Sequence, residues 1–148
     1  MLNEKRKILI CEDELITAIN IKQFLEKKDF YVYNPVTTGR ELMECATDYF
    51  PSLIISDITL KGELDGIEAI SRISELVKIP YIFITGYPEY MSLIDSYFLK
   101  PVNTFVKPLD LNKLYLSLSQ SLFHSSNERP SYYYLGWFLC VKGILCYC

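Results

Sequence analysis

The sequence predicts an α/β fold: a doubly wound, five-stranded parallel sheet with helices on both faces. Three observations predict it. Short apolar runs alternate along the chain with longer segments whose apolar residues recur at spacings of three and four. The runs are continuously apolar, as strands buried on both faces must be. Four of them stop at polar groups of different kinds: Glu12-Asp13, Asp57, Thr85-Gly86 and Lys107-Pro108. Strands alternating with helices imply right-handed crossovers and a sheet covered on both sides. Ligands in such folds bind beyond the carboxyl ends of the strands, near the point where strand order reverses.

The elements follow in order. Lys7-Ile8-Leu9-Ile10-Cys11 is the first strand, and Leu15, Ala18, Ile21 and Leu25 mark the face of the first helix. Tyr31-Val32-Tyr33 is a short second strand broken by Asn34-Pro35. Leu42, Cys45, Ala46 and Tyr49 define a second helix that stops near Pro51. The central strand begins at Leu53 and delivers Asp57 at its end. Lys61 to Gly66 form a loop, and Ile67, Ile70, Ile73 and Val77 line a third helix. Pro80 separates that helix from the strand Tyr81-Ile82-Phe83-Ile84. A fourth helix is expected over Glu89 to Phe98, ended by Lys100-Pro101, with Thr104-Phe105-Val106 as the fifth strand. Asp110 is placed to cap a last helix whose core stripe is Leu111, Leu114, Leu118 and Leu122.

Length and composition allow one domain with a full core, since 148 residues are present and half of them are hydrophobic. A net charge of −3 argues against nonspecific nucleic-acid binding, because the phosphate backbone rewards a basic surface, and no direct nucleic-acid binding by this domain is expected. The polar start, Met1 to Lys7, is unlike a secretory leader, and a cytoplasmic protein is expected. Cys11 and Cys45 lie in strand and helix patterns and are expected to be small buried hydrophobes in a reducing compartment. The domain is expected over residues 1–124, with a polar linker at 125–130 and a hydrophobic tail at 131–148. The tail is short for a spanning helix and contains Lys142. It is read as the stub of a truncated second domain or an artefactual end, ahead of a packing segment or a membrane-associated tail. Cys140, Cys146 and Cys148 match no standard zinc spacing, and His124 is given no catalytic role.

The polar strand ends have a chemistry in common. A carboxylate accepts a phosphoryl group when a divalent cation and an ammonium neutralise the transferring oxygens, with little further covalent help. Mg²⁺ prefers oxygen ligands and keeps several waters, so one or two carboxylates suffice. Asp13 and Asp57 are the expected direct ligands, Glu12 acts directly or through water, and the backbone carbonyl of Thr59 completes the set. Lys107 is expected to pair with Asp57, and the hydroxyl of Thr85 to meet a phosphoryl oxygen.

Five stretches carry a resemblance. Ile8-Leu9-Ile10-Cys11-Glu12-Asp13-Glu14, Leu53-Ile54-Ile55-Ser56-Asp57-Ile58-Thr59-Leu60, Asp65-Gly66-Ile67-Glu68, Ile82-Phe83-Ile84-Thr85-Gly86 and Phe105-Val106-Lys107-Pro108-Leu109 occur in order. Over about residues 6–123 the chain resembles the receiver domain of two-component response regulators, a flavodoxin-like fold of the CheY type. The resemblance implies that Asp57 takes a phosphoryl group from the phosphohistidine of a sensor histidine kinase or phosphotransfer protein. It also implies that Glu12 and Asp13 form a metal pocket for Mg²⁺, that Thr85 is the switch hydroxyl, and that Lys107 is the family's lysine, followed by a bond that is commonly cis. Self-phosphorylation from small donors and self-dephosphorylation are implied, in a regulator and not an enzyme. A homodimer is compatible with it, and helix four with strand five would form the output face.

Two features depart from the family pattern. The position three before the lysine usually carries an aromatic residue, and here it is Thr104, with Phe105 one place later on the opposite face of the strand. The fourth-helix region, opened by Tyr87-Pro88, is rich in aromatics. Two alternative functions are weighed. One is a degenerate receiver that serves as a protein-binding platform. The other is a Mg²⁺-dependent aspartyl phosphatase of the haloacid-dehalogenase type, against which Thr59 counts because that chemistry places a second Asp there.

Overall fold

The computed structural model describes residues 5–124. The expected linker and tail, with Cys140, Cys146 and Cys148, lie outside these residues, as does the side chain of His124. The chain runs β1 (Lys7–Cys11), α1 (Leu15–Glu26), β2 (Tyr31–Val32), α2 (Gly39–Tyr49), β3 (Leu53–Asp57), α3 (Gly66–Leu76), β4 (Tyr81–Thr85), α4 (Met91–Ser96), β5 (Asn103–Val106) and α5 (Leu111–His124). The strands order themselves β2-β1-β3-β4-β5, with every neighbouring pair parallel. This is the doubly wound sheet expected from the alternating pattern. Strand order reverses between β1 and β3, the place where such folds open a crevice.

Alternate residues along the strands feed two separate cores. Leu9, Cys11, Ile54 and Phe83 pack with Leu42, Ala46, Ile67, Ile70 and Ile73 of α2 and α3. Ile8, Ile10, Leu53, Ile55, Ile82 and Ile84 pack on the other face with Ile21, Leu25, Leu114 and Leu118 of α1 and α5. The period of two that separates these sets is what makes the continuous apolar runs necessary.

Local chemistry sets the helix ends. The Thr38 hydroxyl accepts the Glu41 N–H at 3.2 Å while Glu41 Oε2 accepts the Thr38 N–H at 3.1 Å, a reciprocal capping box at α2. Asp65 Oδ1 accepts the Glu68 N–H at the start of α3. Asp110 Oδ1 accepts from the N–H groups of Asn112 and Lys113, as expected for a cap. Phe50, in the left-handed region at φ 47°, closes α2 just before Pro51.

Several local expectations shift. The fourth helix begins as a single 3₁₀ turn, Pro88–Tyr90, and its α-helical part is only six residues long. Pro88 opens the turn, and Phe98, at φ 55°, carries the chain out of helical conformation. Leu15, expected on the core face of α1, is 68% exposed because it is the first residue of that helix, at the rim. Tyr49, last in α2, is exposed too. The second strand closes at Val32, although the Tyr33 N–H still donates to the Ile8 carbonyl. Among the described residues, no helix is long and apolar enough to cross a membrane.

Candidate functional site

The site is built by register. β1 and β3 pair Ile10 with Ile55 and Cys11 with Ser56, so the residues that follow β1 stand beside the end of β3. One carboxylate oxygen from each of Glu12, Asp13 and Asp57 lies within 4.8 Å of the others. The Glu12 backbone is fixed by its N–H donating to the Val36 carbonyl at 3.0 Å, and its side chain by Oε1 accepting the Glu14 N–H at 3.0 Å. Lys107 arrives from the far side of β4. Its backbone N–H donates to the Thr85 carbonyl at 2.8 Å, and its Nζ donates to Asp57 Oδ2 at 2.7 Å. The Lys107-Pro108 peptide is cis, as the resemblance implies. The same Nζ lies 2.8 Å from Glu12 Oε2 and 3.9 Å from Glu14 Oε2.

Charge is unbalanced in this pocket. The side chains of Asp57 and Glu12 are 3% and 0% exposed and that of Lys107 is 22% exposed, so one ammonium faces two fully buried carboxylates plus Asp13. Lys61 approaches Asp13 Oδ2 only at 3.8 Å, from a nearly free surface position. Burial raises the Glu12 pKa above the ordinary carboxylate range, and the nearby Asp57 charge adds to it against the opposing pull of Lys107 and the Glu14 N–H. Burial acts to lower the pKa of Lys107, but its hydrogen bonds and charge interactions with Asp57 and Glu12 outweigh that and leave it raised.

Glu12 Oε2 decides whether a cation fits. It is buried, and its partner is the Lys107 ammonium at 2.8 Å, which Asp57 Oδ2 shares at 2.7 Å. One ammonium shared between two buried carboxylates leaves negative charge uncompensated, which is costly unless a further cation satisfies it. Three clustered carboxylates with spare lone pairs are an oxygen donor set of the kind Mg²⁺ takes. The residues therefore fit the ion.

The surroundings of Asp57 hold it in one orientation. Oδ1 accepts the Thr59 N–H at 2.9 Å and the Thr59 hydroxyl at 3.2 Å, while Oδ2 accepts from Lys107. The Ser56 hydroxyl donates to the Asp57 carbonyl at 3.0 Å. The Gly66 N–H donates to the Ile58 carbonyl at 2.9 Å, and a Cβ at Gly66 would stand 1.8 Å from the Asp57 carbonyl oxygen. Glycine is required here because α3 starts directly against the peptide that carries Asp57.

The structure thus brings Asp57, Glu12, Asp13 and Lys107 into one cluster. Thr59 also reaches it, through its N–H and hydroxyl. Thr85 is fully buried at the end of β4, and its hydroxyl is turned to its own loop, accepting the Tyr87 N–H at 3.0 Å. Thr104 pairs with Phe83, and Phe105 pairs with Ile84 and packs into the α1/α5 core, so the two lie on opposite faces as strand alternation predicts. Sequence reasoning missed Glu14, the Thr59 hydroxyl and the close approach at Gly66. The third acid in Glu12-Asp13-Glu14 was the available signal for Glu14. A backbone contact to a glycine leaves no mark in side-chain pattern.

Comparison with known proteins gives a single answer. Residues 8–119 match the family described as response regulator receiver domain. The chain is 31% identical over 146 residues to the aerobic respiration control protein ArcA of Escherichia coli K12, covering 92% of this chain and 60% of that protein. It therefore spans about three-fifths of the length of that relative. It is 27% identical to sporulation initiation phosphotransferase F of Bacillus subtilis, covering 86% of this chain and all of that one. Among solved structures, the receiver domain of a modulated diguanylate cyclase from Desulfovibrio desulfuricans G20 superposes with a TM-score of 0.75 at 27% identity, over 85% of this chain and 100% of that one.

Proposed function

We propose, from the fact that this chain belongs to the receiver domain family of two-component response regulators, that it is a switch operated by phosphorylation of Asp57. One observation carries the reading. A buried strand-end carboxylate is bonded to an ammonium at 2.7 Å, with two further carboxylates within 4.8 Å.

In the proposed reaction an Asp57 carboxylate oxygen attacks the phosphorus of a phosphohistidine on a histidine kinase or phosphotransfer protein. A P–O bond forms, the P–N bond breaks, and the imidazole nitrogen leaves with the electron pair. Lys107 already sits on Asp57 and follows the charge onto a phosphoryl oxygen. Asp13 and Asp57, with Glu12 and the backbone carbonyl of Thr59, are the groups that would hold Mg²⁺. When bound, the ion supplies positive charge to the transferring oxygens. Thr85 is the switch hydroxyl, leaving Tyr87 for the phosphoryl group. The new charge then biases the β4–α4 loop and β5, the face that meets an output partner. The domain acts in the cytoplasm as a regulator, with family-type self-phosphorylation and self-dephosphorylation as its only chemistry, and without direct nucleic-acid contact. A homodimer is one form the output can take.

The test is incubation with acetyl phosphate or a beryllofluoride complex, with and without Mg²⁺. Intact-mass analysis should show one added phosphoryl group on the wild type and none on Asp57→Asn, and beryllofluoride should shift the Thr85 and Lys107 amide resonances only when Mg²⁺ is present. A second reading, the protein-binding platform, is favoured by Thr104 at the position of the usual aromatic. It predicts no added phosphoryl group on the wild type. An aspartyl phosphatase predicts steady release of inorganic phosphate from small esters. Against that reading stands Thr59, whose hydroxyl donates to the carboxylate at the position of the second Asp.

A further inference from the structure

The proposed reaction gives no part to Glu14, although its carboxylate stands at the mouth of the pocket. Its side chain is 59% exposed, in contrast to Glu12 and Asp57 on the inner side of the same lysine. It is held in place, because Oε2 accepts the Thr17 hydroxyl at 2.7 Å. That tethered oxygen lies 3.9 Å from Lys107 Nζ. It is not one of the three carboxylates that cluster as ligands.

The charges can be counted from the inside outward. Glu12, Asp13 and Asp57 against Lys107 leave two negative charges, which one divalent cation would cancel. Beyond that set stand Glu14 on the Lys107 side and Lys61 on the Asp13 side. Lys61 is 89% exposed and 3.8 Å from its partner, so solvent screens it. Outside that set, Glu14 is the carboxylate that comes within reach of Lys107, at 3.9 Å against 2.7 Å for Asp57 and 2.8 Å for Glu12.

We infer that Glu14 is a positioning residue: tethered by Thr17, it holds a negative charge 3.9 Å from the Lys107 ammonium at the mouth and sets an electrostatic barrier against anionic phosphoryl donors. The inference rests on the reading of Asp57 as phosphoacceptor. A donor enters carrying negative charge, and a fixed carboxylate beside the lysine repels it and competes for the same ammonium. The device makes the site slow toward small anionic donors. A protein donor that offers a cation to Glu14 would relieve the barrier.

The experiment uses the full chain and two donors of different charge. Acetyl phosphate is a dianion near neutral pH. Its transfer forms a P–O bond to Asp57, breaks the bond between phosphorus and the acyl oxygen, and releases acetate with the electron pair. Phosphoramidate carries less negative charge, and its transfer breaks the P–N bond and releases ammonia. Phosphorylation rates at saturating Mg²⁺ are compared for the wild type, Glu14→Gln, Glu14→Asp and Thr17→Val. At low salt Glu14→Gln should react about three- to tenfold faster with acetyl phosphate, with a smaller gain for phosphoramidate. The gain should vanish near 1 M salt, where the screening length falls to about 3 Å. Glu14→Asp keeps the charge and should stay near the wild-type rate, and Thr17→Val, which frees the carboxylate, should fall between. Mg²⁺ affinity by titration calorimetry should fall only modestly in Glu14→Gln, because the charge that repels an anion also attracts the cation while the three clustered carboxylates remain. A Glu14→Gln rate equal to wild type overturns the inference while leaving Asp57 as the acceptor. A gain that survives high salt, or one shared by Glu14→Asp, overturns it as well, by exposing a structural effect. A wild type that takes no phosphoryl group at all removes the reading of Asp57, and this inference with it.

Discussion

The middle of the sheet and its β5 flank are built differently. Around β1 and β3 every residue of the central strand is buried, and α3 rests through Gly66 on the peptide of Asp57 itself. On the β4–β5 flank, α4 is six residues long with Ile94 its one buried residue, and β5 has no fully buried position. Few buried apolar contacts and a short helix mean low local stability. Asp57 is therefore held in a rigid frame, while the flank beside it costs little to rearrange. The proposed phosphorylation switch would use this division, because reacting groups must not drift and a responding element must have two accessible states.

Four substitutions test this difference. The largest effect is expected at Lys107. Lys107→Ala leaves Glu12 and Asp57 buried without their ammonium, and losing one partner of a buried ion pair costs about 3–5 kcal/mol. Urea melts should show that loss, and millimolar Mg²⁺ should restore part of it. A stability unchanged from wild type would mean that the acids are not strained against one another. Gly66→Ala should exceed the roughly 1–3 kcal/mol usual for overpacking, because its methyl group would collide with the backbone carbonyl of Asp57, which cannot yield as a flexible side chain would. Because its new methyl group pushes on the Asp57 peptide, Mg²⁺ affinity should drop with it, which calorimetric titration would detect. An alanine that left metal binding intact would show that the start of α3 can move independently of Asp57. Last come paired cavities. Ile55→Ala, in the frame, should fall at the upper end of the roughly 2–5 kcal/mol usual for such truncations, and Ile94→Ala at the lower end. Equal losses would erase the distinction between the two regions.

Most of the frame was legible from the order of residues, and the reasons are physical. A strand covered on both faces must be continuously apolar, so Ile8-Leu9-Ile10, Leu53-Ile54-Ile55 and Ile82-Phe83-Ile84 announce themselves. Parallel strands end at one edge, so the charges that follow them converge, and Glu12, Asp13, Asp57 and Lys107 do meet. The flank was less legible because its structure depends on weak and local preferences. The helix expected over Glu89 to Phe98 instead starts as a 3₁₀ turn at Pro88 and closes at Ser96, ahead of the left-handed Phe98. The direction of the Thr85 hydroxyl depends on a bond to Tyr87 two residues away, which no periodicity records. Leu15 shows the limit of the helical stripe, since a residue in register with a core face still lies open when it stands at the first turn.

One consequence of the β5 flank reaches beyond switching. Among the described residues β5 pairs with β4 alone, so the backbone of Asn103–Val106 along its outer side is unclaimed by the sheet. Open edges of this sort invite a strand from a neighbouring molecule and are a route to aggregation. Pro101 and Pro108 stand on either side of these four residues, and neither can donate an amide to a growing ladder. An intruding chain would find purchase over a stretch shorter than the six or seven residues that cross-β stacking requires. The prolines thus act as bookends, letting a pliable margin face the solvent without seeding fibres.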